Sequence, residues 1–245
     1  GGPLLGVAVA TAAGLCTSLL FAVVAVRFRA NQIITGTAVT LAAVGLTGAI
    51  YREAYGAEGV GLSLPTLGVL PVPGLSLIPV LGEALFAQSA LTYTAYLLVG
   101  CCWWLLYRTS WGLGLRAAGE AAEHARASGI AVARVRTIAV LIGGALAGLA
   151  GASLVLAQVG TFAEKMTAGR GFIAIAIVVL GGWHPVRVAL AALFFGAAMA
   201  LQFLFQSFLL GVPYQLFLML PYLLTLLVLA GAWGRTRAPG DLGRS

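Results

Sequence analysis

Apolar runs of membrane length, separated by shorter polar segments, dominate the pattern along this chain. About 20 mostly apolar residues cross a bilayer as a helix. Residues 5–26 carry no charge and stop at Arg27 and Arg29, which predicts a first span; residues 33–51, closed by Arg52 and Glu53, predict a second. Residues 84–107 predict a third, ending in Trp103, Trp104 and Tyr107, a cluster suited to the membrane interface. A fourth, 138–159, stacks Gly144, Gly148 and Ala152 on one face at four-residue intervals, and such small residues let a second helix approach closely. Residues 172–183 are apolar but short, held between Arg170 and the Gly-Gly-Trp-His-Pro run 181–185. They predict a tilted span or a half-span entering a protein-lined cavity. Residues 188–210 and 216–234 complete the set around a turn with Gly211 and Pro213, and Pro221 should kink the last helix. The expected fold class is all-α: a polytopic membrane helix bundle of about seven spans, forming a single transmembrane domain over residues 1–245.

Two connecting segments stand out. Residues 54–83 are broken by Pro65, Pro71, Pro73 and Pro79, so a long external loop is expected, of a kind usually tied to function. Residues 108–137 form the only substantial polar stretch. Its centre, 117–128, has helix-forming composition, carries Glu120 and His124 one turn apart, and meets Gly129 as a C-terminal stop. Composition alone favours a plain connector, yet a helix fenced by Gly119 and Gly129 has the form of a rigid knob that a soluble partner could grip.

Composition agrees with the pattern: 61% of residues are hydrophobic and 9% charged, with mean hydropathy +1.03, where a soluble domain carries about 25% charged residues. Disordered, collagen-like and disulfide-stapled classes are excluded. Cys16, Cys101 and Cys102 lie within apolar runs without a partner at ligand spacing, so they read as small hydrophobes, and no metal or cofactor is expected. The net charge of +7 does not point to nucleic acid, because the basic residues punctuate the apolar runs rather than gather among stacking aromatics. Their distribution sets an orientation instead. Placing the first span's end, the 108–137 loop, the turn with Arg187 and the C-terminus in the cytoplasm puts eleven of the fourteen basic residues inside and leaves Arg52, Lys165 and Arg170 outside. The chain opens on Gly1 rather than Met, without a recognisable signal peptide, which predicts that its N-terminal part is missing.

Within the spans there is no Asp, Glu, Lys, Arg or His, which counts against a self-powered proton or ion carrier. A sodium-coupled carrier working alone remains the rival from another class, since sodium can be held by carbonyl and hydroxyl oxygens. What the spans offer is neutral hydrogen bonding: Thr35, Thr37, Thr40, Gln88, Thr92, Tyr93, Ser153, Gln158, Gln202 and Gln206. Gln88 with Thr92, and Gln202 with Gln206, would share helix faces by spacing. Amides facing a cavity suit a neutral polyhydroxylated solute; amides facing a neighbouring helix bind helices together. No catalytic constellation forms, so an enzyme is not expected. Lys165 is the only lysine and precedes Met166, so no Gly-Lys-Ser/Thr phosphate loop exists.

The run Gly114-Leu-Arg-Ala-Ala-Gly-Glu120, followed by Ala125-Arg-Ala-Ser-Gly-Ile130, resembles the cytoplasmic coupling segment of bacterial ABC importer permeases of the ribose, simple-sugar and nucleoside type. Ala30-Asn-Gln-Ile-Ile-Thr-Gly36, Thr167-Ala-Gly-Arg-Gly-Phe172 with the run to Gly182, and the last span after Pro213-Tyr214-Gln215 are similar to the same family in the same order. The resemblance covers nearly the whole chain. It implies paired membrane subunits, either a homodimer or two different permeases, with separate ATPase subunits below and a substrate-binding protein or lipoprotein outside. It places Arg116, Ala117, Gly119, Glu120, Ala125, Arg126, Ala127, Ser128, Gly129 and Ile130 in the ATPase-coupling segment, and Asn31, Gln32, Thr35, Gln88, Thr92, Gln158, Gln202 and Gln206 are the candidates for the substrate pathway. Two departures are visible: Ala121 stands where family members often have Asn, and an upstream Gly- and Asn-containing motif has no counterpart. The expected function is import of a nucleoside or simple sugar across the bacterial cytoplasmic membrane, with a branched-chain amino acid permease as the near alternative.

Overall fold

A computed structural model of the chain describes residues 2–56, 66–74, 76, 81–167, 169–208, 219, 222–227, 230 and 238–242, with the backbone alone at 81, 83, 202, 203 and 205–208. Most of the expected external loop 54–83 and of the expected last span 216–234 lies outside these residues. The described fold is all-α apart from one two-stranded ribbon. It divides into two compact units, the first built mainly from Gly1–Leu97 and Gly114–Met166, the second from Leu98–Leu113 and Thr167–Leu242.

In the first unit, α1 (Pro3–Ala22) opens on Pro3 at its first position, where the missing N–H costs nothing. The hydroxyls of Thr11, Thr17 and Ser18 donate to carbonyls one turn back, so these polar groups need no water at membrane depth. The helix widens into a π turn over Val23–Arg27, and the chain reverses through Arg29, which sits at φ 54 in the left-handed region. Helix α2 (Gln32–Tyr55) follows. It passes Arg52 and Glu53 without ending, and Arg52 Nε reaches Glu164 at 3.8 Å.

The ribbon is a difference from the sequence pattern. Strand β1 (Val69–Pro71) pairs antiparallel with β2 (Ala87–Ser89), which follows the short helix α3 (Leu81–Phe86). Residues 84–89, expected to begin the third span, therefore lie outside its helix, and α4 starts at Ala90 and runs to Arg108. Tyr93 holds the ribbon to α4, its hydroxyl donating to the Leu70 carbonyl at 2.9 Å and accepting from the Gln88 amide at 3.3 Å. A three-residue strand gives no periodicity that a hydropathy window could separate from a helix end.

Helix α7 (Val132–Ser153) continues as a π turn over Leu154–Val159, a single rod of 28 residues. At 1.5 Å per residue it is about 42 Å long, more than the roughly 30 Å hydrocarbon core requires. It lies antiparallel to α1: Gly6 faces Leu156, Ala10 faces Gly148, and Ser18 faces Gly144. The stripe of small residues on α7 thus meets glycine and alanine of α1, and the two backbones touch. The amide of Leu67 donates to the Leu156 carbonyl at 2.9 Å, tying the segment before β1 to the end of α7.

In the second unit, α8 (Arg170–Leu180) spans 11 residues, about 17 Å and half the hydrocarbon thickness. The chain then turns through Gly182 and Trp183, both at positive φ, into α9 (Pro185–Phe208). A Cβ on Gly181 would lie 2.6 Å from the Val188 amide nitrogen, so glycine permits the turn. His184 stacks on Tyr107 with centroids 5.0 Å apart, and the Arg108 guanidinium lies over Trp103 at 5.7 Å. Those aromatics and that arginine have the composition of a helix end at the membrane interface.

Candidate functional site

The polar segment after α4 is a pair of short helices, not the single helix 117–128 read from composition. Thr109 starts the first, its hydroxyl accepting from the Gly112 amide at 3.0 Å as an N-cap. A side chain on Gly112 would run into the carbonyls of Leu105 and Leu106, so glycine is what lets the chain turn so soon after α4. Helix α5 (Ser110–Glu120) ends at Ala121, whose backbone opens to φ −151, ψ 86, and α6 (Ala122–Ala127) begins. Ala121 is the N-cap of α6 and supplies no side-chain hydrogen bond. Glu120 and His124 consequently lie on different helices.

Ala118, Ala122, Ala125 and Val132 are buried together, with Ala117, Ile130 and Val135 packed on them. Alanines allow α5, α6 and the start of α7 to fold into a small core, while Arg116, Glu120, Glu123, His124, Arg126, Ala127 and Ser128 are exposed. Gly129 closes α6 at φ 83. The Ile130 amide donates to the Ala125 carbonyl at 3.0 Å and the Gly129 amide to the Arg126 carbonyl at 2.9 Å, the Schellman pattern with its apolar contact between Ile130 and Ala125. The Ser128 hydroxyl donates to the His124 carbonyl. Arg136, one turn into α7, donates to the Ala118 carbonyl at 3.4 Å, one of the last carbonyls of α5. The ten residues assigned to coupling therefore form one folded element with an apolar inside and a charged outside.

The pathway candidates are not gathered in this way. Asn31 caps α2, its Oδ1 accepting from the amides of Ile33 at 2.9 Å and Ile34 at 3.3 Å. Thr35 is buried and donates to the Asn31 carbonyl; Thr37 and Thr40 also donate to backbone carbonyls. Gln88 is on β2, with Nε2 donating to the Ala84 carbonyl at 2.9 Å, so it shares no helix face with Thr92. Thr92 lies 3.2 Å from the Ser89 hydroxyl. Gln158 is exposed on the π turn that ends α7. The side chains of Gln202 and Gln206, on α9, lie outside the described residues. Gln32 lines a cavity of about 500 Å³ together with five arginines that sequence reasoning did not group.

A model of the branched-chain amino acid transport system / permease component family matches residues 1–229. The chain belongs to that family. It is a multi-pass membrane permease component, with four helices long and apolar enough to cross a bilayer among the described residues. The permease is 37% identical over 97% of its length to the guanosine ABC transporter permease protein NupQ of Bacillus subtilis, of which it covers 75%. It is 34% identical over 92% of its length to the nucleoside ABC transporter permease protein NupC of Lactococcus lactis subsp. cremoris, covering 72% of that protein. To the putative glucose ABC transporter permease protein TsgC13 of Haloferax volcanii it is 38% identical over 83% of its length, covering 61% of that protein. No solved structure matches the permease. The relatives are ABC permease proteins, which are transport components rather than enzymes.

Proposed function

We propose that this permease translocates a nucleoside or simple sugar inward across the cytoplasmic membrane. A separate ABC ATPase grips the α5–α6 element, a second permease subunit completes the pathway, and an extracytoplasmic binding protein delivers the solute. The observation that carries this reading is the 37% identity with the guanosine permease over 97% of the chain. The basic end of the α1–α7 pair, with Arg27, Arg29, Arg134 and Arg136, is assigned to the cytoplasmic side, and the C-terminus with it. The middles of α1, α2, α4 and α7, inward of Arg136 on α7, carry no charged residue, which suits a neutral solute.

The family's own description favours a second reading, a branched-chain amino acid. A zwitterion asks for helix termini or charges at depth, and the apolar middles of those four helices offer no charged side chain. The stand-alone sodium carrier loses ground because the named relatives are ABC permeases. The deciding experiment reconstitutes the permease with its genomic ATPase and binding protein in liposomes and measures ATP-driven uptake of labelled guanosine, ribose, glucose and leucine. Uptake of guanosine or a sugar above leucine is expected. Leucine uptake alone would establish the amino acid reading, and uptake on a sodium gradient without the ATPase would overturn both.

A further inference from the structure

We propose that the arginine-lined cavity at the basic end of the α1–α7 pair is a binding site for the phosphate of an acidic phospholipid. Arg27 and Arg29 come from the end of α1, Arg126 from α6, Arg134 and Arg136 from α7, and Gln32 opens α2. Five arginines line about 500 Å³, among them Arg136, whose guanidinium also donates to the Ala118 carbonyl, and none of the lining residues is acidic. Like charges drawn together in this way repel, and a phosphate diester relieves the repulsion while offering oxygens that match the guanidinium fork. Free phosphate would satisfy the charge equally. The position argues for lipid: the cavity sits where two rods of membrane length end, and Ala25, Val26, Val132 and Ile138 supply apolar wall beside the charges. A headgroup with its first acyl carbons needs both surfaces, as do basic pockets between spanning helices on the cytoplasmic side. The inference rests on the chain crossing a membrane and not on which solute it carries.

The test uses the full chain purified in neutral detergent, with dioleoyl phosphatidylglycerol and dioleoyl phosphatidylcholine as probes and bound lipid counted by native mass spectrometry. Retention of phosphatidylglycerol over phosphatidylcholine is expected, and millimolar inorganic phosphate should not displace it. Replacing Arg29 and Arg134 together, R29Q/R134Q, should lower the affinity for phosphatidylglycerol about tenfold, the scale of losing a charge-assisted contact. Arg187→Gln, which does not line the cavity, should leave it unchanged. Both replaced arginines are exposed, and R29K/R134K, which keeps the charges but not the forks, should fall between the two. Equal retention of both lipids, or unchanged retention in R29Q/R134Q, would overturn the proposal. Displacement by inorganic phosphate would overturn it in favour of a soluble phosphate site, and loss of lipid on adding the ATPase subunit would overturn it in favour of a protein-docking surface.

Discussion

Gly14 of α1 and Gly148 of α7 meet backbone to backbone: a Cβ placed on Gly14 would lie 2.9 Å from the Gly148 Cα and collide with the Gly144 carbonyl. A Cβ on Gly148 would in turn run into the Ala10 carbonyl. In lipid there is little hydrophobic force to join helices, so close van der Waals contact of this kind carries the association. Overpacking such a contact costs about 1–3 kcal/mol. Gly148→Leu should therefore lower the apparent Tm in detergent by several degrees and reduce the monodisperse fraction on gel filtration. Gly143, on the same helix with nothing within 4 Å of its would-be Cβ, is the control, and Gly143→Leu should behave as the parent. Equal behaviour of the two variants would mean that the α1–α7 contact does not hold the fold.

That stripe was legible because small residues at four-residue spacing leave a mark in the sequence; only the partner helix was missing. Helix ends were less legible for a physical reason. A hydropathy window stops at charges, while the hydrogen-bond ladder does not: α7 begins at Val132 and α2 runs to Tyr55, each passing two charged residues that a window treats as boundaries. The polar segment that became α5 and α6 was visible as a segment, and its glycine stop as a cap. The break at Ala121 was not, since alanine is the strongest helix former and nothing in its neighbourhood announces a turn. Asn31 illustrates the opposite case. Asn before an apolar helical run is an N-cap signal, and the Asn31 side chain is spent on that cap. The arginine cavity joins residues from Ala25 in one segment to Ile138 in another, which no local pattern can report.

Ala121 sets the next prediction. It occupies the N-cap of α6 without a capping side chain, at the position where the resembling family often has Asn. Asn accepts an amide of the first turn and typically adds about 1 kcal/mol over Ala. Ala121→Asn should slow hydrogen–deuterium exchange of the amides of 123–125 about fivefold while leaving those of α7 unchanged. Faster exchange would show that the break at Ala121 is not a helix start.

Orientation has its own test. With Cys16, Cys101 and Cys102 replaced by Ala, a cysteine at Glu164 should react with an impermeant maleimide added to intact cells, and one at Ala127 should react only after permeabilisation. Both positions are exposed, so access to reagent decides the outcome. Glu164 lies beside Arg52 at the far end of α2, opposite the arginine-rich end. Labelling with the reverse sidedness would move the α5–α6 element out of reach of any cytoplasmic ATPase.

Glu120 joins the fold to the proposed coupling. It is the last residue of α5, exposed beside Ala121 where the chain changes direction, and the alanine core beneath it is made without its carboxylate. Reversing its charge should therefore cost the fold less than about 0.5 kcal/mol, the ordinary scale for surface substitutions. A partner seated over the α5–α6 element would experience the change directly, because reversing a charge at an interface places like charges together at a cost of several kcal/mol. Glu120→Arg should leave insertion, Tm and docking of the binding protein as in the parent. Co-purification of the ATPase and substrate-stimulated ATP hydrolysis should both fall, by about tenfold or more. Gly129→Val separates mechanical from electrostatic effects, since it removes the left-handed residue that closes α6 while keeping every charge in place. It should loosen α6 and reduce hydrolysis without abolishing co-purification. Unchanged hydrolysis and co-purification in Glu120→Arg, with transport intact, would reduce the α5–α6 element to a folded connector.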